Sequence, residues 1–134
     1  MKIYAELRLT ADSLDPDDIT MRAGVSPTKA WRNGEPIMGS STGKRTFSRW
    51  AIHTETLDTY DSSDAICLLM KRTSSILAKN LALLAAEYSA SFEVSCAIYR
   101  SGGDPLPSLF MNRNVIGWLS SIGAALDIDI IETA

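Results

Sequence analysis

Short stretches of alternating apolar and polar residues predict several strands with one buried face. The clearest alternation runs from Ile3 to Thr10, where the odd positions are apolar and the even positions carry tyrosine or polar side chains. Further strands are predicted at residues 46–55, 91–99, 109–111 and 126–131. Because the runs alternate rather than being apolar throughout, we expect a largely antiparallel sheet that is covered on one face.

A second pattern, with a period of three to four residues, predicts one long helix over residues 62–88. Its apolar stripe consists of Ile66, Met70, Thr73, Leu77, Leu81, Leu84 and Tyr88, widened by Leu69, Ile76 and Leu83. Ser62, Ser63 and Asp64 supply the side-chain oxygens that cap a first turn. At 1.5 Å per residue such a helix would span roughly 35–40 Å and cross a small sheet.

Two shorter helices complete the predicted elements. One begins at Asp15-Pro16 and ends near Gly24, and the other begins at Asn112 and ends near Gly123. We therefore predict a single α+β domain over residues 1–134. Its sheet has about five strands, and the long helix and two short helices pack mainly on one face, in a layout related to the ferredoxin-like fold.

The composition points to a cytoplasmic protein without a cofactor. The chain has 134 residues, 46% of them hydrophobic, and its start has no apolar run of signal-peptide length. Cys67 and Cys96 have no neighbouring cysteine, so we expect buried thiols rather than a disulfide or a zinc site. Asp127 and Asp129 share one strand face but lack a third oxygen ligand, and no metal is predicted.

The positive charge is concentrated in one part of the chain. The net charge is −3, which argues against a nucleic-acid binder, yet residues 22–49 hold six basic residues and one acid. Residues 27–45 also lack periodicity, and connections of such length are often functional. Residues 39–44 resemble a phosphate-binding loop only superficially, because one spacer is missing and a strand follows. The candidate binding residues are Lys29, Trp31, Arg32, Lys44, Arg45, Arg49 and His53.

Several stretches form a recognisable set of motifs: residues 15–20, 24–28, 34–35, the strand around Trp50, 118–123 and 126–130. Together they resemble a bacterial family catalogued as domain of unknown function 4279. The connection at residues 36–44 looks longer than the family's pattern. The resemblance implies a small α+β domain, and it brings no established activity and no catalytic residues. Some members are similar in context to immunity proteins, which neutralise toxins.

These observations favour a non-enzymatic binding domain. We expect it to hold an acidic protein or an anionic small molecule through the basic connection and the polar sheet face, which bears Tyr4, Arg8, Arg49 and His53. The alternative is a small enzyme for an anionic substrate, with His53, the only histidine, as general base or Asp129 as acid or base. No membrane association is predicted, and the chain is expected to be a monomer or a homodimer.

Overall fold

The computed structural model describes residues 1–133 and contains six strands and four helices. The strands are β1 (Lys2–Ala11), β2 (Lys29–Trp31), β3 (Ser48–His53), β4 (Leu57–Asp58), β5 (Ser91–Ser101) and β6 (Ala125–Thr133). The helices are α1 (Pro16–Ala23), α2 (Ser62–Arg72), α3 (Ser75–Glu87) and α4 (Arg113–Ile122). The sheet has the order β2-β3-β1-β5-β6, and β4 pairs with the start of β1.

The central strand β1 shows why the sheet has one apolar and one polar face. Ile3, Ala5, Leu7 and Leu9 are fully buried and belong to one hydrophobic core, to which all four helices contribute. The even residues of β1 point to the opposite face, as the period of two requires. The predicted α+β class and the alternation of β1 are confirmed.

The prediction of one long helix was wrong, because the chain leaves the helix at Thr73 and starts again after Ser74. Thr73 is extended, with φ −104° and ψ 109°, and its hydroxyl donates to the Leu69 carbonyl. Ser74 then caps α3 by accepting from the Leu77 amide at 3.1 Å. The break redirects the helix. Two residues of the predicted stripe, Ile76 and Leu83, are consequently 73% and 67% exposed.

The sheet also differs from the predicted one in its pairing. Strands β5 and β6 are parallel, joined through α4, whereas the other strand pairs are antiparallel. This final β-α-β unit departs from the ferredoxin-like layout that we expected. The short strands β2 and β4 carry no alternation and were not predicted. Residues 109–111 form no strand; the nearest pairing is the isolated bridge of the preceding Ser108 to Asp61.

Two short helices begin and end where they were expected. Asp15 caps α1 and Gly24 ends it with φ 75°, while Asn112 caps α4 and Gly123 ends it with φ 73°. Trp50 is fully buried on β3, and its indole N–H donates to Thr20 Oγ1 of α1 at 3.0 Å. This bond ties α1 to the sheet. No helix among the described residues is long and apolar enough to cross a membrane.

Candidate functional site

The basic connection between β2 and β3 is a hydrogen-bonded arm rather than an open loop. The Gly34 amide donates to the Arg45 carbonyl at 2.8 Å, and the Arg45 amide returns a bond of 2.8 Å to Glu35. Closer to the tip, the Ile37 amide donates to Gly43 at 2.9 Å. Met38, at the tip, is 99% exposed. The arm therefore fixes the position of Arg45 at its base.

Trp31 is the centre around which the basic side chains gather. It lies on the edge strand β2, half-buried, with its ring centroid 5.6 Å from that of Phe47. The guanidinium carbon of Arg45 lies over the indole, 3.9 Å from its centroid, and that of Arg49 lies 5.3 Å away. Arg49 is also 5.0 Å from the Phe47 ring centroid. We call Trp31, Arg45, Phe47 and Arg49, together with Lys44, the exposed sequence neighbour of Arg45, the Trp31 surface.

Two of the predicted binding residues are neutralised by carboxylates within the fold. Lys29 Nζ lies 2.7 Å from Glu6 Oε1, although outside hydrogen-bonding geometry, and the Glu6 side chain is only 2% exposed. Arg32 reaches Asp15 at 2.8 Å and Asp17 at 3.1 Å. The hydrogen bond to Asp15 raises the pKa of Arg32, and the same bond lowers the pKa of Asp15. These two cations are thus paired with carboxylates at the edge of the sheet.

The remaining cations of the Trp31 surface are not neutralised in this way. Within residues 1–133, no carboxylate oxygen comes within 4.0 Å of the side-chain nitrogens of Lys44, Arg45 or Arg49. Arg49 is half-buried, and its Nε donates to Thr10 Oγ1 at 3.0 Å. Burial, followed by the positive charge of Arg8, lowers the pKa of Arg49. This guanidinium is thus held in a position that is unfavourable to its charge.

His53 is separated from these groups. It is exposed, and its Nδ1 lies 2.8 Å from the Thr54 carbonyl, so that nitrogen carries the proton in the neutral ring. The centroid of its ring lies 5.2 Å from that of the Tyr4 ring. Glu6 is opposite His53 in the strand register, but its carboxylate is engaged by Lys29 and Arg8. The described chain thus offers His53 no free carboxylate as an orienting partner, and general-base catalysis gains no support.

One family model matches residues 1–132, over nearly the whole chain; its description is Domain of unknown function (DUF4279). The chain belongs to this family. No curated protein matches the chain, and no solved structure does so either. The match therefore identifies the DUF4279 family and carries no information on what the domain binds.

The DUF4279 domain contains site residues that sequence reasoning did not single out. Phe47 completes the aromatic pair with Trp31, and Thr10 orients Arg49 from the neighbouring strand. Glu6 was expected on a solvated face, yet it is almost fully buried beneath Lys29 and Arg8. Phe47 could have been found from its position two residues before Arg49. The roles of Thr10 and Glu6 depend on strand register, which the sequence does not contain.

Possible ligand sites outside the Trp31 surface are a metal site and a cavity. Among the described residues, no group of three or more His, Cys, Asp or Glu side chains is placed to hold a metal. Asp127, one of the paired carboxylates, accepts from Arg8 at 2.8 Å. A cavity of about 370 Å³ is lined by Arg22, Asn80, Leu83, Leu84, Ala86 and Glu87. It lies between α1 and α3, away from β2 and β3.

Proposed function

We propose that this DUF4279 domain is a non-enzymatic interaction module that binds an acidic protein or an anionic ligand through the Trp31 surface. The observation that carries the proposal is the combination of three neighbouring cations without carboxylate partners and two adjacent aromatic rings. Aromatic residues and arginine are enriched where proteins recognise partners. The rings supply apolar contact area, and the cations supply attraction for negative charge.

The electrostatics of the whole chain support the same surface. The protein is acidic overall, with a net charge of −3, so an acidic partner would be repelled by most of it. Lys44, Arg45 and Arg49 give the Trp31 surface a local positive charge. An acidic partner would consequently be directed to this surface during encounter. An immunity-type role, in which the domain neutralises a toxin by binding it, is one concrete form of the proposal.

The structure narrows the substitutions that can test this proposal. Reversing Lys29 would place a second carboxylate beside buried Glu6, and reversing Arg32 would break its pairs with Asp15 and Asp17. Either change would damage the fold and binding together. Lys44 and Arg45 have no carboxylate partner within residues 1–133, so Lys44→Glu/Arg45→Glu changes the surface charge without breaking an ion pair. It does remove the contact of Arg45 with the Trp31 ring. Lys79→Glu/Arg113→Glu makes the same change of charge at two exposed helical positions away from the site.

The experiment is affinity capture from cells that naturally contain the protein, with wild type and both double variants as bait. We expect the wild type and the Lys79→Glu/Arg113→Glu variant to retain the same acidic protein or ligand. The Lys44→Glu/Arg45→Glu variant should lose it while keeping its circular dichroism spectrum and melting temperature. Equal retention by all three baits would contradict the proposal.

A further inference from the structure

Two arginines share one aromatic ring in the Trp31 surface. The guanidinium carbon of Arg45 lies 3.9 Å and that of Arg49 5.3 Å from the centroid of the Trp31 indole, and the charge of Arg45 acts on Arg49. A ring attracts a guanidinium through its quadrupole but carries no net negative charge. The aromatic contacts therefore position the two cations without neutralising either of them.

Arg8, the other half-buried arginine of the polar sheet face, differs from Arg49 in its contacts with carboxylates. Arg8 has three carboxylates within 4.0 Å, from Glu6, Glu93 and Asp127. Arg49 has none within that distance in the described part of the chain. Burial, followed by the positive charges of Arg8 and Arg45, lowers its pKa, and the more distant carboxylates of Glu6 and Glu93 offset this only in part. Burying a cation without a carboxylate in contact is unfavourable. An anion bound beside Arg49 would relieve this unfavourable position.

The donors of both guanidinium groups are open to such an anion. Arg49 uses its Nε for Thr10 Oγ1, which fixes the side chain, and its two terminal nitrogens have no hydrogen-bond partner among residues 1–133. The side-chain nitrogens of Arg45 likewise have no partner there, because the hydrogen bonds of Arg45 are made by its backbone. The paired terminal nitrogens of an arginine form a fork that matches two oxygens of a phosphate or carboxylate.

We propose that Arg45 and Arg49 form a binding site for a phosphate monoester, with Lys44 adding a third positive charge at its rim. This inference rests on the proposed function and names the anionic group that the surface recognises. A single carboxylate offers one negative charge and two oxygens, which one arginine fork already satisfies. A phosphate monoester carries a charge of about −1.5 to −2 at pH 7 and three acceptor oxygens. It therefore fits two guanidinium groups better.

The test is a titration of the isotope-labelled wild-type chain with O-phospho-L-serine and with inorganic phosphate, followed by NMR. We expect saturable changes in the Trp31 indole and Arg49 Nε–H signals, with the Trp50 and Trp118 indole signals unchanged. Acetate at the same ionic strength should bind at least about tenfold more weakly, a difference of about 1.4 kcal/mol. Tighter binding of phosphoserine would indicate a phosphorylated side chain as the source. Tighter binding of inorganic phosphate would indicate a small phosphate compound.

Single-residue variants distinguish the phosphate site from the broader proposal of an interaction module. Arg45→Gln and Arg49→Gln should each weaken phosphoserine binding at least about tenfold, whereas Lys79→Gln should not change it. Arg45→Lys keeps the charge but removes the fork, so it should weaken binding as well. Shifts that chloride reproduces at equal ionic strength, or that survive Arg45→Gln, would overturn the phosphate site. If phosphate does not bind but capture still depends on Lys44 and Arg45, the interaction module stands and only the phosphate site is wrong.

Discussion

Lys29 Nζ of the edge strand β2 lies 2.7 Å from the Glu6 carboxylate of the central strand β1, across the intervening strand β3. The two groups differ in exposure, since the Glu6 side chain is 2% exposed and the Lys29 side chain is 34% exposed. Because β2 has only three residues and also carries Trp31, this ion pair helps to set the position of the binding surface.

The first prediction follows from the difference in exposure between the Glu6 and Lys29 side chains. Lys29→Met leaves a buried carboxylate with only Arg8 nearby, and the free energy of unfolding should fall by about 3 kcal/mol. Glu6→Gln leaves a lysine that can turn to water, so its cost should be smaller, about 1–2 kcal/mol. Urea denaturation of both variants and of the double variant measures the difference. A larger loss for Glu6→Gln than for Lys29→Met would contradict this account.

The second prediction concerns the break between α2 and α3. Ser74→Ala removes the side-chain oxygen that accepts from the Leu77 amide, and should lower the free energy of unfolding by about 1 kcal/mol. Ser75→Ala is the matched control, because Ser75 is exposed in the first turn and does not cap it. Thermal or urea unfolding of the two variants provides the comparison. If the two alanines had the same effect, Ser74 would not be the cap.

The third prediction tests the bond between Trp50 and Thr20. Thr20→Val keeps the shape of the side chain but leaves the buried indole N–H of Trp50 without its acceptor. The loss should be about 1–3 kcal/mol, the cost of an unsatisfied buried donor. Thr20→Ser keeps the hydroxyl and should lose clearly less in the same denaturation experiment. No loss for Thr20→Val, with a clear loss for Thr20→Ser, would show that the methyl group and not the hydrogen bond stabilises this contact.

The fourth prediction follows from the burial of Cys96 on β5. Burial raises the pKa of the Cys96 thiol to about 12, from an ordinary value of 9.0, so the folded protein holds this proton more tightly than the unfolded chain. The resulting stabilisation is complete below pH 9.0 and is lost as the pH rises towards about 12. Cys96→Ala should therefore show a shallower decrease in unfolding free energy across this range. Parallel pH profiles for wild type and Cys96→Ala would exclude this role of the thiol.

The sequence predicted those features that depend on local patterns. The odd residues of β1 and the caps at Asp15, Gly24, Asn112 and Gly123 followed from periodicity and capping chemistry, and the structure has them at those positions. The helix break was missed because the apolar stripe continues past Thr73. The adjacent serines, with their preference for caps, were nevertheless a signal against a continuous helix.

Only part of the candidate site could be predicted, because the sequence shows which residues are present but not which of them are in contact. The basic and aromatic composition of residues 29–49 is visible in the sequence, and so six of the seven candidate residues could be named from it. Which cations are neutralised depends on two tertiary contacts, that of Lys29 with Glu6 across the sheet and that of Arg32 with Asp15 at the start of α1. The paired residues are 17 or more positions apart in the chain, and only the fold brings them together.

The most direct test of the central claim is the affinity of the captured partner, once purified, for the wild type and the two charge-reversal variants. Isothermal titration should give equal dissociation constants for the wild type and Lys79→Glu/Arg113→Glu. For Lys44→Glu/Arg45→Glu we predict an affinity lower by about 100-fold, or about 2.7 kcal/mol, because attraction at two positions becomes repulsion. An unchanged dissociation constant for that variant would contradict the assignment of binding to the Trp31 surface.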